Sequence, residues 1–486
     1  MPTDPTTDAK YALAKLFELR PWYDELRDYE SGHQPIMFAS EKFRRFYEAV
    51  MRRYRLNICR PVVRQVSRRL DIEGWEGDDQ AQEWWNTAGR QIQNRLFREA
   101  CRQGDAYTIT WPVGTMSGEL RTNRLRADEA MVVYRQDQPD TPDYAIHAWQ
   151  DATRDARMAD STLRVNVYYP DLVTRWVGDT ATVQTIAQRV RAGQSLLSTL
   201  DGLTLSPFED EDTPHKAGYE GPLAEAGQDG ILPVQHFAVQ PDATPYGTSV
   251  LDDVLPVQDA INKHAIDILV TSEQYGLPLR ALLGLEEIKS TEVDGDGNVV
   301  ERSNLDDIDY DPRLDWMLAL PGSDSKLVQL PEADITRLIE VKRAAISDAT
   351  LVSNVPLNIL AEDSGNVPTG VALREVKAPL TELVQDIQQD MTVPAGNLAR
   401  LHGWDAQPSW AAPFTMDPLE RWELVGKKVD AGWPARQAFI ETGLDPKFVD
   451  EVMSEAVVAE NNVGGLLMRA FRDGRDPVEV VDEVRQ

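Results

Sequence analysis

The stretch GILPVQHFAVQPDATPYGTSVLDDVLPVQDAINK, residues 230–263, decides the fold of this chain. Pro233-Val234 opens a short apolar run typical of a buried strand. The residues of Pro241–Gly247 are those that form turns, and Thr248 or Ser249 can then cap a long helix. The stretch therefore predicts the order strand, loop and helix.

Two long helices are predicted on either side of a short insertion. The first runs from Pro256, or slightly earlier, to about Tyr275, because its apolar residues recur at spacings of three and four. The second starts near Pro331, a residue type favoured at the first helical position, and continues to about Ala349. Between them, the segment STEVDGDGNVVERS predicts two strands joined by an Asp-Gly-rich turn.

The remainder of the chain divides into helical and strand-rich parts. Residues 1 to about 103 show helical spacing, whereas residues 104 to about 177 alternate with a period near two and predict strands. Residues 201–230 carry eight acidic residues with several Pro and Gly, which predicts a mobile surface loop. From about residue 417 the spacing is again helical. We therefore expect an α+β fold that is predominantly helical.

The composition excludes several classes of protein. The 486 residues include 80 acidic and 50 basic ones, a net charge of −30, which disfavours tight wrapping of nucleic acid. The two cysteines, Cys59 and Cys101, lack the spacing of a metal site or a disulfide framework. The N-terminus lacks the apolar core of a signal peptide, and no apolar run is long enough to span a membrane.

One segment is basic although the chain as a whole is acidic. Between Glu41 and Leu70 there are ten Lys or Arg and two Glu. Such asymmetry indicates an acidic neighbour, which could be packed DNA or an acidic face of the next subunit, although the segment could also face only solvent.

Catalytic motifs are missing from the sequence. There is no Gly-x-x-x-x-Gly-Lys-Ser/Thr phosphate loop, so the chain is not expected to be an ATPase of the phosphate-loop type. The six histidines are scattered without a His-Glu-x-x-His arrangement, and no Gly-x-Ser-x-Gly elbow is present. We therefore predict no enzyme activity, no catalytic residue, no metal and no cofactor.

The order of elements around residues 230–263 resembles the portal protein family of long-tailed, siphovirus-type double-stranded DNA bacteriophages. In that family a Val-Pro-led strand, a Gly-x-Ser element and a Gln-Asp-Ala-x-Asn-Lys helix follow one another. The matching residues here are Pro233, Val234, Gly247, Ser249, Gln258, Asp259, Ala260, Asn262 and Lys263. The family's Ser-Gly-x-Ala-Leu element is similar to Ser364, Gly365, Ala372 and Leu373, with extra residues between the two pairs.

The resemblance implies a ring of identical subunits, a dodecamer, at one capsid vertex of the virion. Double-stranded DNA would pass through its channel without sequence-specific contacts during packaging and ejection. The implied partners are the terminase large subunit, a head–tail adaptor and the major capsid and scaffolding proteins, with no membrane involved. The ring would assemble in the host cytoplasm. A runner-up from another class is a carboxylate-dependent metal hydrolase with a helical accessory domain, which only the abundance of Asp and Glu favours.

The resemblance also divides the chain into the wing, stem, clip and crown regions of a portal fold. The implied regions are a wing over 1–246, a first stem helix over 247–275, a clip over 276–330, a second stem helix over 331–353, a tunnel loop over 354–368, a kinked helix returning to the wing over 369–416, and a helical crown over 417–486.

DNA in the channel would meet the tunnel loop and the stem. The polar and acidic residues implied there are Asn354, Asn358, Glu362, Asp363 and Asn366, with Lys342 and Arg343 as tunnel-lining cations. The clip segment Glu286–Asp315 contains eleven acidic and three basic residues, so its partners should present basic surfaces.

Overall fold

A computed structural model describes residues 4–35, 37, 56–114, 118–151, 162–179, 204–210, 213–275, 280–285, 289–293, 299–303, 317–321, 326–329, 334–356, 370–414, 418–442 and 449–450. The chain divides into two units, Met1–Ala411 and Ala412–Gln486. Helices and strands both contribute extensively, so the predicted α+β class is confirmed as a mixed fold.

Helices dominate the described residues up to Gln103. The first begins where Asp4 accepts a hydrogen bond from the Thr6 N–H and Pro5 takes the first helical position, and it ends at Gly32, whose φ is 82°. A short strand, β1 (Ile72–Glu76), interrupts the helical region, which the prediction of helix throughout residues 1–103 missed. The helices are α1 (Pro5–Ser31), α2 (Cys59–Ser67), α3 (Asp79–Trp84) and α4 (Arg90–Gln103).

A π-helical turn, Trp85–Gly89, joins α3 to α4. It places the Trp85 Nε1 3.0 Å from the Ile72 carbonyl oxygen, to which it donates. A Cβ at Gly89 would overlap the Trp85 indole, so the absent side chain makes room for the ring.

Two antiparallel sheets follow, as the period-two spacing predicts. The smaller sheet has the strand order β10-β2-β3, and the larger has the order β4-β5-β6-β7-β8, with β9 pairing to β7. The strands are β2 (Asp105–Pro112), β3 (Leu120–Leu125), β4 (Ala130–Tyr134), β5 (Pro142–Asp151), β6 (Thr162–Tyr168), β7 (Leu172–Asp179), β8 (Leu205–Pro207), β9 (Lys216–Gly218) and β10 (Val234–Ala238).

The two faces of the larger sheet bury different partners. Met131 and Val133 pack with Leu13 of α1 and its neighbours, whereas Val132, between them, packs with Tyr107 of the smaller sheet. Because side chains alternate across a strand, one strand thus serves two cores. The larger sheet is therefore buried between α1 and the smaller sheet.

The prediction of a mobile surface loop over residues 201–230 is wrong for the part of that segment that the structure describes. It contains β8, β9 and helix α5 (Pro222–Gln228). Leu205, Tyr219 and Leu223 are buried. These three side chains bury enough apolar surface to fix the segment despite its acidic composition.

The two predicted long helices are present, and the first starts where the sequence predicts. Helix α6 (Leu255–Tyr275) begins one residue before Pro256. Helix α7 (Ile335–Ser353) begins after Asp334, whose side chain accepts from the Arg337 N–H at 3.3 Å. An N-cap aspartate therefore starts this helix, and Pro331 lies outside the described residues.

Between these helices, the described residues form five strands. Lys289–Val293 and Val299–Ser303 pair as the antiparallel hairpin that the sequence predicts, while the other three form a sheet with parallel and antiparallel neighbours. The strands are β11 (Arg280–Leu285), β12 (Lys289–Val293), β13 (Val299–Ser303), β14 (Met317–Pro321) and β15 (Lys326–Gln329).

A third long helix, α8 (Gly370–Leu401), is continuous although it contains Pro379 and Pro394. An apolar stripe runs along this helix. Its buried members are Leu380, Leu383, Ile387 and Met391, whereas Val376 is 40% exposed. Strand β16 (Gln407–Trp410) then pairs antiparallel with β1.

The second unit contains α9 (Pro418–Asp430) and α10 (Ala435–Glu441). Trp422 and Val425 of α9 pack with Phe439 of α10, which confirms two helices and a break between them. The helix that the sequence predicts beyond residue 450 lies outside the described residues.

Cys59 and Cys101 are free thiols, and both are fully buried. Burial raises the pKa of the Cys59 thiol to about 12 and raises that of Cys101 as well. Among the described helices, none is both long and apolar enough to cross a membrane.

Candidate functional site

The strand-loop-helix stretch converges on the buried carboxylate of Asp105, at the start of β2. Its Oδ1 accepts from the Gly247 N–H at 2.7 Å and from the His236 Nε2 at 2.8 Å, and its Oδ2 accepts from the Tyr23 hydroxyl at 2.7 Å. With the His236 proton on Nε2, the Nδ1 atom accepts from the Tyr134 hydroxyl at 2.7 Å. One carboxylate thus joins α1, two strands and the loop before α6.

The protonation of Tyr23 suits this role. Burial, and after it the adjacent Asp105 carboxylate, raises the pKa of Tyr23 well above its usual value. The hydroxyl therefore remains a hydrogen-bond donor throughout the physiological range. The Tyr107 ring stacks on His236 with 4.7 Å between the ring centres, which orients the imidazole.

Two glycines allow the loop to lie against the end of α4. Gly104 has a φ of +84°, and a Cβ there would stand 2.5 Å from the Gly247 carbonyl oxygen. A Cβ at Gly247 would in turn overlap the Gly104 carbonyl oxygen. Two backbone hydrogen bonds keep the loop against the end of α4. The Val239 N–H donates to the Gly104 carbonyl oxygen, and the Val250 N–H donates to the Cys101 carbonyl oxygen. The motif glycine Gly247 is thus required by backbone proximity.

Ser249 closes a turn before α6 and does not cap it, so the prediction that Thr248 or Ser249 caps the long helix is wrong. Its hydroxyl donates to the Arg102 carbonyl oxygen at 2.6 Å and accepts from the Leu251 N–H at 3.0 Å. The bonded turn precedes α6 rather than starting it, since the helix begins at Leu255.

Two motif residues of α6 bind the N-terminal helices. The Gln258 Oε1 accepts from the Ile58 N–H and its Nε2 donates to the Leu56 carbonyl oxygen, both at 2.7 Å. The Asp259 Oδ2 accepts from the Tyr29 hydroxyl at 2.9 Å. Gln258 is fully buried, so its amide replaces the water that these backbone groups would otherwise bind.

Two other motif residues of α6 make no hydrogen bond to the N-terminal helices within the described part of the chain. Lys263 forms an ion pair with Asp267 one turn along the same helix. The Asn262 Oδ1 is buried and has no hydrogen-bond partner within the described part of the chain. Pro233 is buried at the entry to β10, and its carbonyl oxygen accepts from the Thr110 N–H at 2.9 Å.

A second buried carboxylate, Glu30, fastens α1 to α4. It pairs with Arg98 at 2.5 Å and with Arg102 at 3.1 Å. The Asn57 Nδ2 donates to the Tyr29 and Glu30 carbonyl oxygens nearby. The family motif quoted from the sequence includes neither Glu30 nor His236. The signal for His236 was its place in β10, directly opposite Tyr107 of β2.

The structure describes only part of the residues predicted to face DNA. Asn354 follows α7 in the left-handed conformation, with a φ of 55°, and is exposed. Arg343 is exposed and Lys342 half-buried on α7. Asn358, Glu362, Asp363, Asn366, Ser364 and Gly365 lie outside the described residues, while Ala372 and Leu373 lie in α8.

The basic segment is described only from Leu56 onwards, so its six bases before that residue lie outside the description. Arg60 donates to the Glu30 and Ser31 carbonyl oxygens, whereas Arg64 and Arg68 are exposed on α2. Within the described ranges, no group of three or more His, Cys, Asp or Glu side chains is placed to hold a metal ion.

These contacts define an architectural protein, in which the motif residues join one long helix to an α/β body. The chain matches the model of the family described as phage portal protein, SPP1 Gp6-like, over residues 13–401. It belongs to that family, and both the family resemblance and the portal function predicted from the sequence are confirmed. The chain is accordingly a structural protein of the virion's portal vertex.

Among solved structures, the chain is similar to one described as the neck of a native GTA particle computed with C12 symmetry. The TM-score is 0.42 and the sequence identity 15%, over 79% of this chain and 90% of that one. No curated protein matches the chain significantly.

Proposed function

We propose that copies of this chain form a ring around the channel through which double-stranded DNA enters and leaves the capsid. The observation that carries the proposal is the pair of long helices, α6 and α7, which pack along each other and enclose a strand-rich insertion. Gln258 and Asp259 anchor the first helix of this pair in the body. This arrangement suits a stem that transmits load between the two ends of a channel.

The family resemblance supports the following division of the ring into regions. We assign 247–275 and 331–353 to the stem, 276–330 to the clip and 1–246 to the wing. The remaining assignments are the tunnel loop at 354–368, the helix returning to the wing at 369–416 and the crown at 417–486.

The surface of α7 supports assembly with further copies. Val341 is 46% exposed, Leu351 77% and Val352 38%, on a helix that also packs against α6. Water contact with these side chains is unfavourable, and burying them against a neighbouring copy would remove it.

Charge would govern how DNA moves through the ring. A ring of twelve copies would carry about −360 formal charges, so its channel would repel phosphate and let the duplex slide. The acidic clip would dock basic surfaces of the terminase large subunit and of the head–tail adaptor, while capsid and scaffolding proteins would contact other faces. Clip binding to these partners should therefore weaken as salt is raised. Assembly would take place in the host cytoplasm.

Electron microscopy of the purified protein at high concentration tests the ring. We expect end-on views with a central hole and about twelvefold symmetry, because cyclic closure is the usual outcome of head-to-tail contacts between identical subunits. Compact monomers, even with capsid and scaffolding proteins present, would contradict the ring.

A second test addresses the DNA-facing residues. We expect the variant that combines Asn358→Ala with Glu362→Gln, and separately Arg343→Glu, to change DNA packaging or retention several-fold in an infectious-particle assay, since each alters contacts at the channel surface. Lys216→Glu, at an exposed position of β9 in the wing, is the matched control. Packaging and retention equal to the control would show that these residues do not meet DNA.

The alternative of a metal-dependent hydrolase gains no support. The family match concerns a structural family, and the carboxylates at the centre of the site, Asp105 and Glu30, are held by hydrogen bonds and ion pairs inside the body.

A further inference from the structure

A small internal cavity lies between the smaller sheet, α4 and α8. Apolar side chains of all three surround it, among them Phe97, Phe237 and Leu398. The volume open to the centre of a water-sized sphere is about 10 Å³, which is about what one buried water needs. The side chains with polar groups in its wall include Gln93 of α4, Thr108 of β2 and Thr122 of β3.

The hydroxyl of Thr108 makes no hydrogen bond within the described part of the chain. The side chain is 0% exposed, so bulk water does not reach it. Directly opposite it in the sheet stand Gln235 of β10 and Arg124 of β3. Both are bonded to other groups, since the Gln235 Oε1 accepts from Asn397 and Arg124 pairs with Glu99. Burial of a hydroxyl without any partner is unfavourable, because the group gives up its hydrogen bonds to water.

A second hydroxyl lies on the same face of the sheet. Thr110 stands opposite Thr122 of β3, and their Oγ1 atoms are 2.8 Å apart. Because residues i and i+2 of a strand share a face, Thr108 and Thr122 are diagonal neighbours on that face. The Thr122 Oγ1 also lies 2.9 Å from the His402 Nε2. A hydroxyl can donate one hydrogen bond and accept two, so Thr122 can make one more.

Gln93 brings an amide to the cavity from α4. Its Oε1 accepts from the Ile72 N–H at 3.2 Å, and its Nε2 donates to the Asp71 carboxylate at 2.7 Å. An amide oxygen has two lone pairs and an amide nitrogen has two protons, so each atom can make one further hydrogen bond. The wall thus offers three polar side chains to a water molecule, and two to four partners are typical of buried water.

We propose that the cavity binds one water molecule as a permanent part of the fold, hydrogen-bonded to the hydroxyls of Thr108 and Thr122 and to the Gln93 amide. This water supplies the partner that Thr108 lacks and joins β2, β3 and α4 at one point. An apolar molecule fits the site less well, because it leaves the Thr108 hydroxyl without a hydrogen bond. The site does not depend on the ring proposed for this chain.

High-resolution crystal structures of the whole chain, one of them from a crystal held under xenon pressure, test the site. We expect a spherical peak of electron density about 2.5–3.0 Å from the Thr108 Oγ1, the range of O–H···O hydrogen bonds, and no xenon in the cavity. Xenon binds in cavities that are apolar and dry. A cavity without density, or one that takes up xenon, would overturn the proposal.

Thr108→Val tests the site in solution, because valine keeps the shape of threonine and removes only the hydroxyl. We expect the urea midpoint, followed by tryptophan fluorescence, to fall by about 0.2 M or more, since the water loses a partner and Thr122 and Gln93 stay buried beside it. Thr162→Val, at an exposed position of β6, is the matched control and should stay within about 0.1 M of the unaltered chain.

The alternative predicts the opposite sign. If no water binds Thr108, valine removes a buried hydroxyl that has no partner, and the midpoint of Thr108→Val should equal or exceed that of the control. Such a result would show that the water is absent. The crystallographic test uses the unaltered chain, so it stands even if Thr108→Val does not fold.

Discussion

Replacing Asp105 with alanine is expected to lower the free energy of unfolding of the first unit by about 3–5 kcal/mol. The side chain is 2% exposed and accepts hydrogen bonds from Tyr23, His236 and Gly247. Its removal leaves three donors without an acceptor, two of them on the buried side chains of Tyr23 and His236. Urea unfolding followed by tryptophan fluorescence measures the loss.

Asp140→Ala is the control for this experiment, because Asp140 is exposed and its replacement should change the free energy by less than about 0.5 kcal/mol. Asp105→Asn should fall between the two, since an amide oxygen can still accept. If Asp105→Ala unfolded at the same urea concentration as Asp140→Ala, the carboxylate would not be the centre of the junction.

The second large effect is expected for Gly104→Ala, which should cost more than about 3 kcal/mol or prevent the chain from folding. Two costs combine there: a φ of +84°, which side chains disfavour, and a Cβ 2.5 Å from the Gly247 carbonyl oxygen. Yield of soluble protein and thermal unfolding measure the outcome.

Gly114→Ala separates these two costs. Gly114 has the same φ of +84°, but a Cβ there would meet no atom within 4 Å. Its replacement should therefore show the backbone cost alone, about 1–2 kcal/mol. If both variants lost the same free energy of unfolding, the loop at Gly247 would be able to move away from a Cβ at Gly104 without cost. That result would contradict the close packing of the two glycines.

The portal motif predicted the junction well because its residues lie in one continuous stretch. The apolar run of β10 and the turn before α6 were both readable there, and Gly247 lies in that turn, whereas the helix cap predicted at Thr248 or Ser249 is wrong because α6 begins at Leu255. The partners were harder to predict. Gln258 accepts a hydrogen bond from Ile58, which lies 200 residues away in the sequence, and no local sequence pattern predicts such a pair.

The errors have physical causes of the same kind. In residues 201–230 the density of acidic residues concealed Leu205 and Leu223, which are buried because strands distant in sequence cover them. At α7, the described helix begins after Asp334, whose capping side chain the sequence prediction did not include.

The two buried thiols also make the protein convenient for single-molecule optics. Neither Cys59 nor Cys101 presents an accessible thiolate, so maleimide dyes should leave the unaltered chain unlabelled. A cysteine introduced at exposed Asp140 would then be the sole reactive handle on each copy. Fluorophores could be placed on the assembled particle without first building a cysteine-free background.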